Sequence, residues 1–154
     1  MKNLYGKIFK NTKSGKYECF LYNLEQDYNK LIQNILKKGY QEVSFSLFKM
    51  MELAKCLVMN EGLKATKISF VFEDDEWENE VNRVLKNFNN GEADWDLLEV
   101  VVTDGGLNEI RDIHFKSKEN EFLLTVKNNG IFFVSEDAYN LVSKMICDIL
   151  NENL

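Results

Sequence analysis

Apolar residues recur at intervals of three and four positions in four parts of the chain. These stripes occupy residues 24–36, 46–58, 74–88 and 138–150, and a glycine follows each of the first three within a few residues. Such spacing places apolar side chains on one face of a helix, and glycine is common just past a helix end. The pattern predicts four amphipathic helices.

Polar residues mark where three of these helices begin. Ser46 and Ser135 stand directly before apolar runs, a position where a hydroxyl accepts a hydrogen bond from the first turn. The third helix is predicted to begin at Asp74 or Asp75, and Asp75 with Glu78 has the spacing of a capping box. The period of this helix directs Trp77 into the core.

Alternation of apolar and polar residues predicts strands in the rest of the chain. The predicted strands are 4–10, 17–22, 67–73, 97–103, 110–117, 121–127 and 131–134. The first two read as a hairpin, and short turns separate the last four. Asn129-Gly130 in the final turn is a strong hairpin signal.

The element order is therefore ββααβαββββα. Strands and helices partly segregate along the chain, which predicts an α+β fold with a mainly antiparallel sheet and a four-strand C-terminal meander packed against helices. The 154 residues, of which 45% are hydrophobic, suit a single domain spanning 1–154.

The sequence shows neither an apolar targeting segment nor a cysteine spacing typical of a disulfide. No window of about 18 apolar residues occurs, and scattered lysines replace an apolar signal region at the start. We therefore expect a cytoplasmic protein without a membrane partner. Cys19, Cys56 and Cys147 are odd in number and far apart, so we expect buried free thiols.

The residues offer little catalytic chemistry. His114 is the single histidine, and alternation places it on the outer face of a strand with Asp112 and Lys116. The counts of cysteine and histidine exclude Cys/His metal sites, and residues 89–96 lack the order of a calcium loop. We expect no catalytic residue, no metal and no cofactor.

A glycine turn and two carboxylate pairs are the remaining chemical candidates. Asp104-Gly105-Gly106 precedes neither a Lys-Ser/Thr pair nor a helix start, so it reads as a hairpin turn and not as a phosphate loop. The pairs Asp94/Asp96 and Glu73/Asp75 arise by chance in so acidic a segment, and they do not predict glycosidase chemistry.

Charge is distributed unevenly along the chain. Residues 1–72 carry 6 acids and 12 bases, whereas residues 73–112 carry 13 acids and 3 bases, and the whole chain has a net charge of −6. A helix start accounts for one or two acids, because carboxylates interact favourably with its dipole. It does not account for six acids in residues 73–80.

We therefore predict an acidic binding face for a basic protein partner, with Trp95 as its aromatic anchor. The predicted face consists of Asp74, Asp75, Glu76, Glu78, Glu80, Glu92, Asp94, Trp95, Asp96 and Glu99. A solvated acidic surface and a core position for Trp95 are the competing interpretations. Direct nucleic-acid binding is disfavoured by the acidic balance.

The leading functional hypothesis is a non-catalytic protein that occludes a basic partner, as an immunity protein, an antitoxin or an anti-defence inhibitor does. One alternative is a small-molecule or nucleotide-sensing domain, or a carboxylate-only enzyme, with a pocket between sheet and helices. Another is an oligomeric phage-borne accessory or structural protein, in which the basic region of one copy meets the acidic segment of the next.

Overall fold

The computed structural model describes residues 2–22, 27–105, 108–119 and 121–152. The strands are β1 (Asn3–Asn11), β2 (Tyr17–Tyr22), β3 (Tyr40–Glu42), β4 (Lys64–Phe70), β5 (Ile110–Lys116), β6 (Leu123–Lys127) and β7 (Ile131–Ser135). The helices are α1 (Tyr28–Lys37), α2 (Leu47–Met59), α3 (Asp75–Asn89), α4 (Trp95–Thr103) and α5 (Tyr139–Glu152), and a short 3-10 turn (Glu136–Ala138) leads into α5.

Within the described ranges, seven strands form one sheet in the order β2-β1-β7-β6-β5-β4, and β3 pairs with β1 outside this path. Each strand pairing is antiparallel. The α+β class, the antiparallel sheet and the C-terminal meander are therefore confirmed. In that meander β5, β6 and β7 follow one another in space as they do in sequence.

Strand β1 organises the sheet because it is long enough to pair three times. One of its edges pairs with β2 over Tyr5 to Lys10, and the other pairs with β7 near its start and with β3 near its end. The three-residue strand β3 is too short for an alternation pattern to predict.

One face of the sheet carries the main core. Five strands each contribute a fully buried side chain to this face. These residues are Ile8 of β1, Phe132 of β7, Val126 of β6, Ile113 of β5 and Ile68 of β4. Helices α2, α3, α4 and α5 bury their apolar stripes against it. Because side chains alternate along a strand, the polar residues between these positions fall on the opposite face.

Helix α1 covers only one end of that opposite face. Its Ile32 and Ile35 pack on Phe9 of β1, together with the rings of Phe20 and Tyr40. Asp27 caps the helix by accepting hydrogen bonds from the backbone amides of its first turn. Leu24, which the sequence pattern places at the start of this helix, lies outside the described residues. The opposite face is covered at the β1–β2–β3 end by α1.

The predicted strand 97–103 is wrong, because this segment belongs to helix α4. Its buried residues Trp95, Leu98 and Val102 follow a helical spacing, and Asp94 caps the helix by accepting a hydrogen bond from the Leu97 amide. The run of valines suggests a strand by propensity, but packing against α3 overrides that preference. The meander therefore has three strands, β5, β6 and β7, and not the four that were predicted.

Two further local predictions are corrected. The hairpin turn expected at Asp104-Gly105-Gly106 is instead the end of α4, with Asp104 as its C-cap, and Gly106 lies outside the described residues. The capping box does not form, because Asp74 is the N-cap of α3. The carboxylate of Glu78 accepts a hydrogen bond from the Phe70 amide instead.

Side-chain amides cover part of two edge strands of the sheet, β4 and β2. On β4, Asn82 of α3 accepts a hydrogen bond from the Ile68 amide and donates one to the Ile68 carbonyl, each at 2.9 Å. On β2, Asn151 of α5 makes the same two-point contact with Tyr17. Exposed strand edges are templates for unwanted pairing, and each of these amides occupies the outward backbone groups of one edge residue.

Among the helices of the described residues, none combines the length and the apolar character that a membrane-spanning segment requires.

Candidate functional site

Helices α3 and α4 form an antiparallel hairpin that carries the acidic segment. At one end the indole of Trp77, in the first turn of α3, donates a hydrogen bond to the carbonyl of Val101 near the end of α4. At the other end the rings of Phe88 and Trp95 meet edge to face, with centroids 5.3 Å apart. The two helix starts are therefore at opposite ends of the hairpin.

This arrangement divides the predicted acidic face into two groups. Since α3 has 15 residues, it is about 22 Å long at 1.5 Å per residue. Asp74, Asp75, Glu76 and Glu78 lie at its start, whereas Glu92, Asp94 and Asp96 lie beyond its end, and Glu80 and Glu99 lie between them along the two helices. The structure brings each group together but does not join the two.

Several of these carboxylates have local structural roles. Asp74 and Asp94 cap α3 and α4 by accepting backbone hydrogen bonds at 3.1 and 2.9 Å. Glu78 supports the edge of β4, as described above. Glu80 pairs with Arg83 one turn along α3, and this guanidinium holds the pKa of the Glu80 carboxyl below its ordinary value. The exposed carboxylates of Asp75, Glu76, Glu92 and Asp96 make no hydrogen bond or ion pair with another described residue.

Trp95 is a core residue and is not an exposed anchor. It is 4% exposed, and its indole donates a 2.9 Å hydrogen bond to the carboxylate of Glu99 one turn along α4. The helical phase of α4 turns the residue inward, whereas the predicted strand left its direction open. The competing interpretation of Trp95 as core therefore agrees with the structure.

The outer side of α4 instead exposes smaller apolar residues. Leu97 and Val100, which are neighbours on the helix surface, are 47% and 55% exposed. Nearby, Phe48 of α2 is 70% exposed and lines a shallow groove with Glu52, Glu99 and Thr103. We call Phe48, Glu52, Asp96, Leu97, Glu99 and Val100 the acidic–apolar patch.

Within the described part of the chain, the acids of the hairpin form no close ion pair with a lysine of residues 1–72. Among the described residues, the ion pairs of residues 73–112 are Arg83–Glu80, Arg111–Asp112 and His114–Asp112, and none of them involves a lysine of residues 1–72. The acidic–apolar patch itself contains three carboxylates and no basic side chain. Its field therefore favours a positively charged partner.

A second candidate site lies on the sheet face away from the main core, beyond the part that α1 covers. Asp112 and His114 project from β5 on this face, and Thr125 of β6 stands directly opposite His114. His114 Nε2 lies 3.1 Å from Asp112 Oδ1, and Nδ1 lies 3.3 Å from the Thr125 hydroxyl oxygen. The tautomer of the imidazole sets whether Nδ1 donates to the Thr125 hydroxyl or accepts from it.

Asp112 lies between the Arg111 guanidinium and the His114 imidazole at the base of this face. It is 8% exposed, and its Oδ2 accepts a 3.2 Å hydrogen bond from Arg111 Nε. Its Oδ1 is buried and accepts no well-aligned hydrogen bond from the described residues, so the contact with His114 is electrostatic at close range. This arrangement fixes the imidazole ring beside Thr125.

A cavity of about 490 Å³ opens over this part of the sheet. Its polar lining includes Thr66, His114, Glu121, Thr125 and Ser135, and its apolar lining includes Leu123 and Phe133. The alternation of β5 predicted that His114 and Asp112 share the outer face. It could not show that Thr125 and Thr66 join them, because strand register brings those residues together from elsewhere in the chain.

In the described ranges, no three cysteine, histidine or carboxylate side chains are grouped around a common point. No protein-family model matches the chain, and neither the curated proteins nor the solved structures include a significant match to it.

Proposed function

We propose that this protein is a non-catalytic binding protein that occludes a basic protein partner, and that the partner docks on the acidic–apolar patch of α4 and α2. The observation that carries this proposal is the exposure of Leu97, Val100 and Phe48 beside Glu52, Asp96 and Glu99, which form no ion pair with another described residue. Occlusion of this kind is the mode of action of immunity proteins, antitoxins and anti-defence inhibitors.

The patch combines two sources of binding free energy. Burial of half-exposed apolar side chains contributes about 25 cal/mol per Å² of apolar surface. The surrounding acids steer a basic partner and accelerate its association, an effect that salt weakens. A basic surface with one or more apolar side chains at its centre is the complementary partner.

Two variants with the same charge change test this proposal. Asp96 and Asp75 are exposed residues in the first turns of α4 and α3, at opposite ends of the hairpin. Asp96→Lys reverses a charge of the patch, and Asp75→Lys makes the same change outside it. Wild type and both variants serve as baits for lysate of the native host, and the affinity of each captured protein is then measured after purification.

The proposal expects a basic protein that binds the wild type saturably. Its affinity should fall by about tenfold or more for Asp96→Lys at low salt, and change little for Asp75→Lys. A combined Leu97→Ala and Val100→Ala variant should weaken binding by a similar factor through faster dissociation. Equal losses for Asp96→Lys and Asp75→Lys, or no saturable capture, would contradict the proposal.

The cavity over the sheet favours a second candidate function, the binding of a small molecule such as a nucleotide. Its floor combines the hydroxyls of Thr66 and Thr125 with the imidazole of His114, and the Phe133 ring supplies an apolar wall. Small-molecule sites commonly combine an apolar lining with a few converging polar groups. This site lies on the face opposite the main core, and not between sheet and helices.

Nuclear magnetic resonance titration with mononucleotides and aromatic carboxylates tests this second candidate. Saturable shifts centred on the amides of β5 and β6, lost in His114→Ala but retained in Asp96→Lys, would support it. Shifts spread over the whole chain, or unchanged in His114→Ala, would exclude a site at this place.

A further inference from the structure

Cys19 and Cys147 lie 128 positions apart in sequence, yet their sulfur atoms are 2.6 Å apart. Cys19 belongs to the edge strand β2, where it pairs across from Ile8, and Cys147 belongs to the C-terminal helix α5. This separation is far shorter than a van der Waals contact between two sulfur atoms, and it approaches the disulfide bond length of about 2.05 Å. The two thiols are therefore juxtaposed, which the sequence spacing could not reveal.

Neighbouring contacts hold the two elements in this register. Asn151, one turn along α5 from Cys147, donates to the carbonyl of Tyr17 and accepts from its amide at 3.1 and 2.8 Å. On the other side, the Cys19 thiol lies 3.6 Å from the carbonyl of Ser143, one turn before Cys147. Because contacts on both sides fix the helix against the strand, the sulfur atoms meet without a rearrangement of the backbone.

The two thiol groups also differ in their pKa values. The hydrogen bond with Cys19 lowers the pKa of the Cys147 thiol, although burial and the nearby carboxylate of Asp148 oppose this effect. The same contact and burial raise the pKa of Cys19. Since the thiolate is the nucleophile in disulfide exchange, Cys147 is the group that attacks first.

We propose that Cys19 and Cys147 form a redox-active pair that closes to an intramolecular disulfide by exchange with a low-molecular-weight disulfide of the glutathione class. The Cys147 thiolate attacks one sulfur of glutathione disulfide, which forms a mixed disulfide and releases one glutathione thiolate. The Cys19 thiol then loses its proton and attacks the Cys147 sulfur, which releases the second glutathione. The protein loses two electrons and the glutathione disulfide gains them.

Closure would covalently join β2 to α5 and so link the beginning of the chain to its end. The resulting loop spans residues 19–147, and long loops gain the most from a cross-link because the unfolded chain loses the most freedom. Cys56, which has no sulfur contact among the described residues, remains a thiol.

Equilibration of the full chain in glutathione redox buffers tests the proposal, with Cys56→Ser as the background so that only the pair can react. Mass spectrometry of acid-quenched samples should show the loss of two hydrogen atoms. The oxidised fraction in each buffer gives the effective concentration of one thiol relative to the other. This value should lie well above the roughly millimolar value typical of a flexible tether. The oxidised protein should unfold at a temperature about 5–15 °C higher than the reduced protein.

Single variants Cys19→Ser and Cys147→Ser in the same background provide the controls. Each should take up one glutathione, because the partner thiol that would displace it is absent. Uptake of two glutathiones by the Cys56→Ser protein, an effective concentration at or below millimolar, or a lower unfolding temperature after oxidation would overturn the proposal.

Discussion

Replacement of Asn82 by alanine removes the side chain that closes the outer edge of β4. Its amide makes three hydrogen bonds of 2.9 Å, two with the backbone of Ile68 and one with the carbonyl of Glu78. Ile68 is buried in the main core, so its backbone groups have restricted access to replacement water. We expect Asn82→Ala to destabilise the fold and expose a strand edge.

The magnitude follows from the hydrogen bonds that are lost. Each contributes about 0.5–1.5 kcal/mol net, and a buried backbone group left without a partner costs about 1–3 kcal/mol. Partial access of water at the edge lowers the total, and alanine recovers some helix propensity. We expect a loss of about 2–4 kcal/mol, which for a chain of this size lowers the unfolding temperature by roughly 5–15 °C.

Asn79 on the same helix provides the matched control. It is exposed and makes no hydrogen bond with its side chain among the described residues, so Asn79→Ala reports the propensity change alone. Urea unfolding monitored by circular dichroism gives both free energies, and hydrogen exchange of the Ile68 amide locates the effect. If the two variants differ by less than about 0.5 kcal/mol, the edge contact does not stabilise this fold.

Two further predictions concern packing and alkaline pH. A Cβ atom on Gly105 would overlap the indole ring of Trp77. Gly105→Ala should therefore destabilise the protein by about 1–3 kcal/mol. In thermal unfolding, a double variant with Trp77→Phe should recover part of this loss. Burial raises the pKa of the Tyr139 phenol, with smaller effects from Cys19 and Cys147. Above the unfolded value of about 10 the unfolded state ionises first, so stability falls as pH rises toward the folded value. Tyr139→Phe keeps the stacking on Phe132 and should flatten this alkaline decline in urea midpoints; an equally steep decline would show that Tyr139 does not cause it.

Local patterns in the sequence were sufficient for most of the elements. Helical stripes predicted α2, α3 and α5 closely, and alternation with Asn129-Gly130 predicted the β6–β7 hairpin. Gly130 has a φ of 83°, a conformation that glycine adopts without strain. These predictions succeed because periodicity and turn chemistry act between residues a few positions apart.

The segment 97–103 shows where local pattern is ambiguous. Its valines favour a strand, whereas Trp95, Leu98 and Val102 fit a helical face, and only packing on α3 decides between them. Because the segment is a helix, Trp95 lies in the core and not on the surface, and Leu97 and Val100 are exposed. The candidate binding residues therefore changed with one secondary-structure assignment.

By itself, the sequence determined the α+β class, the antiparallel sheet and the excess of acids in residues 73–112, since composition and short-range spacing carry that information. The tertiary structure alone decided that these acids lie at two ends of a helical hairpin, that Asp112, His114 and Thr125 share a sheet face, and that Cys19 meets Cys147. Each of these depends on contacts between residues distant in the chain. Such contacts are set by strand register and by the docking of helices on the sheet, which local periodicity does not encode.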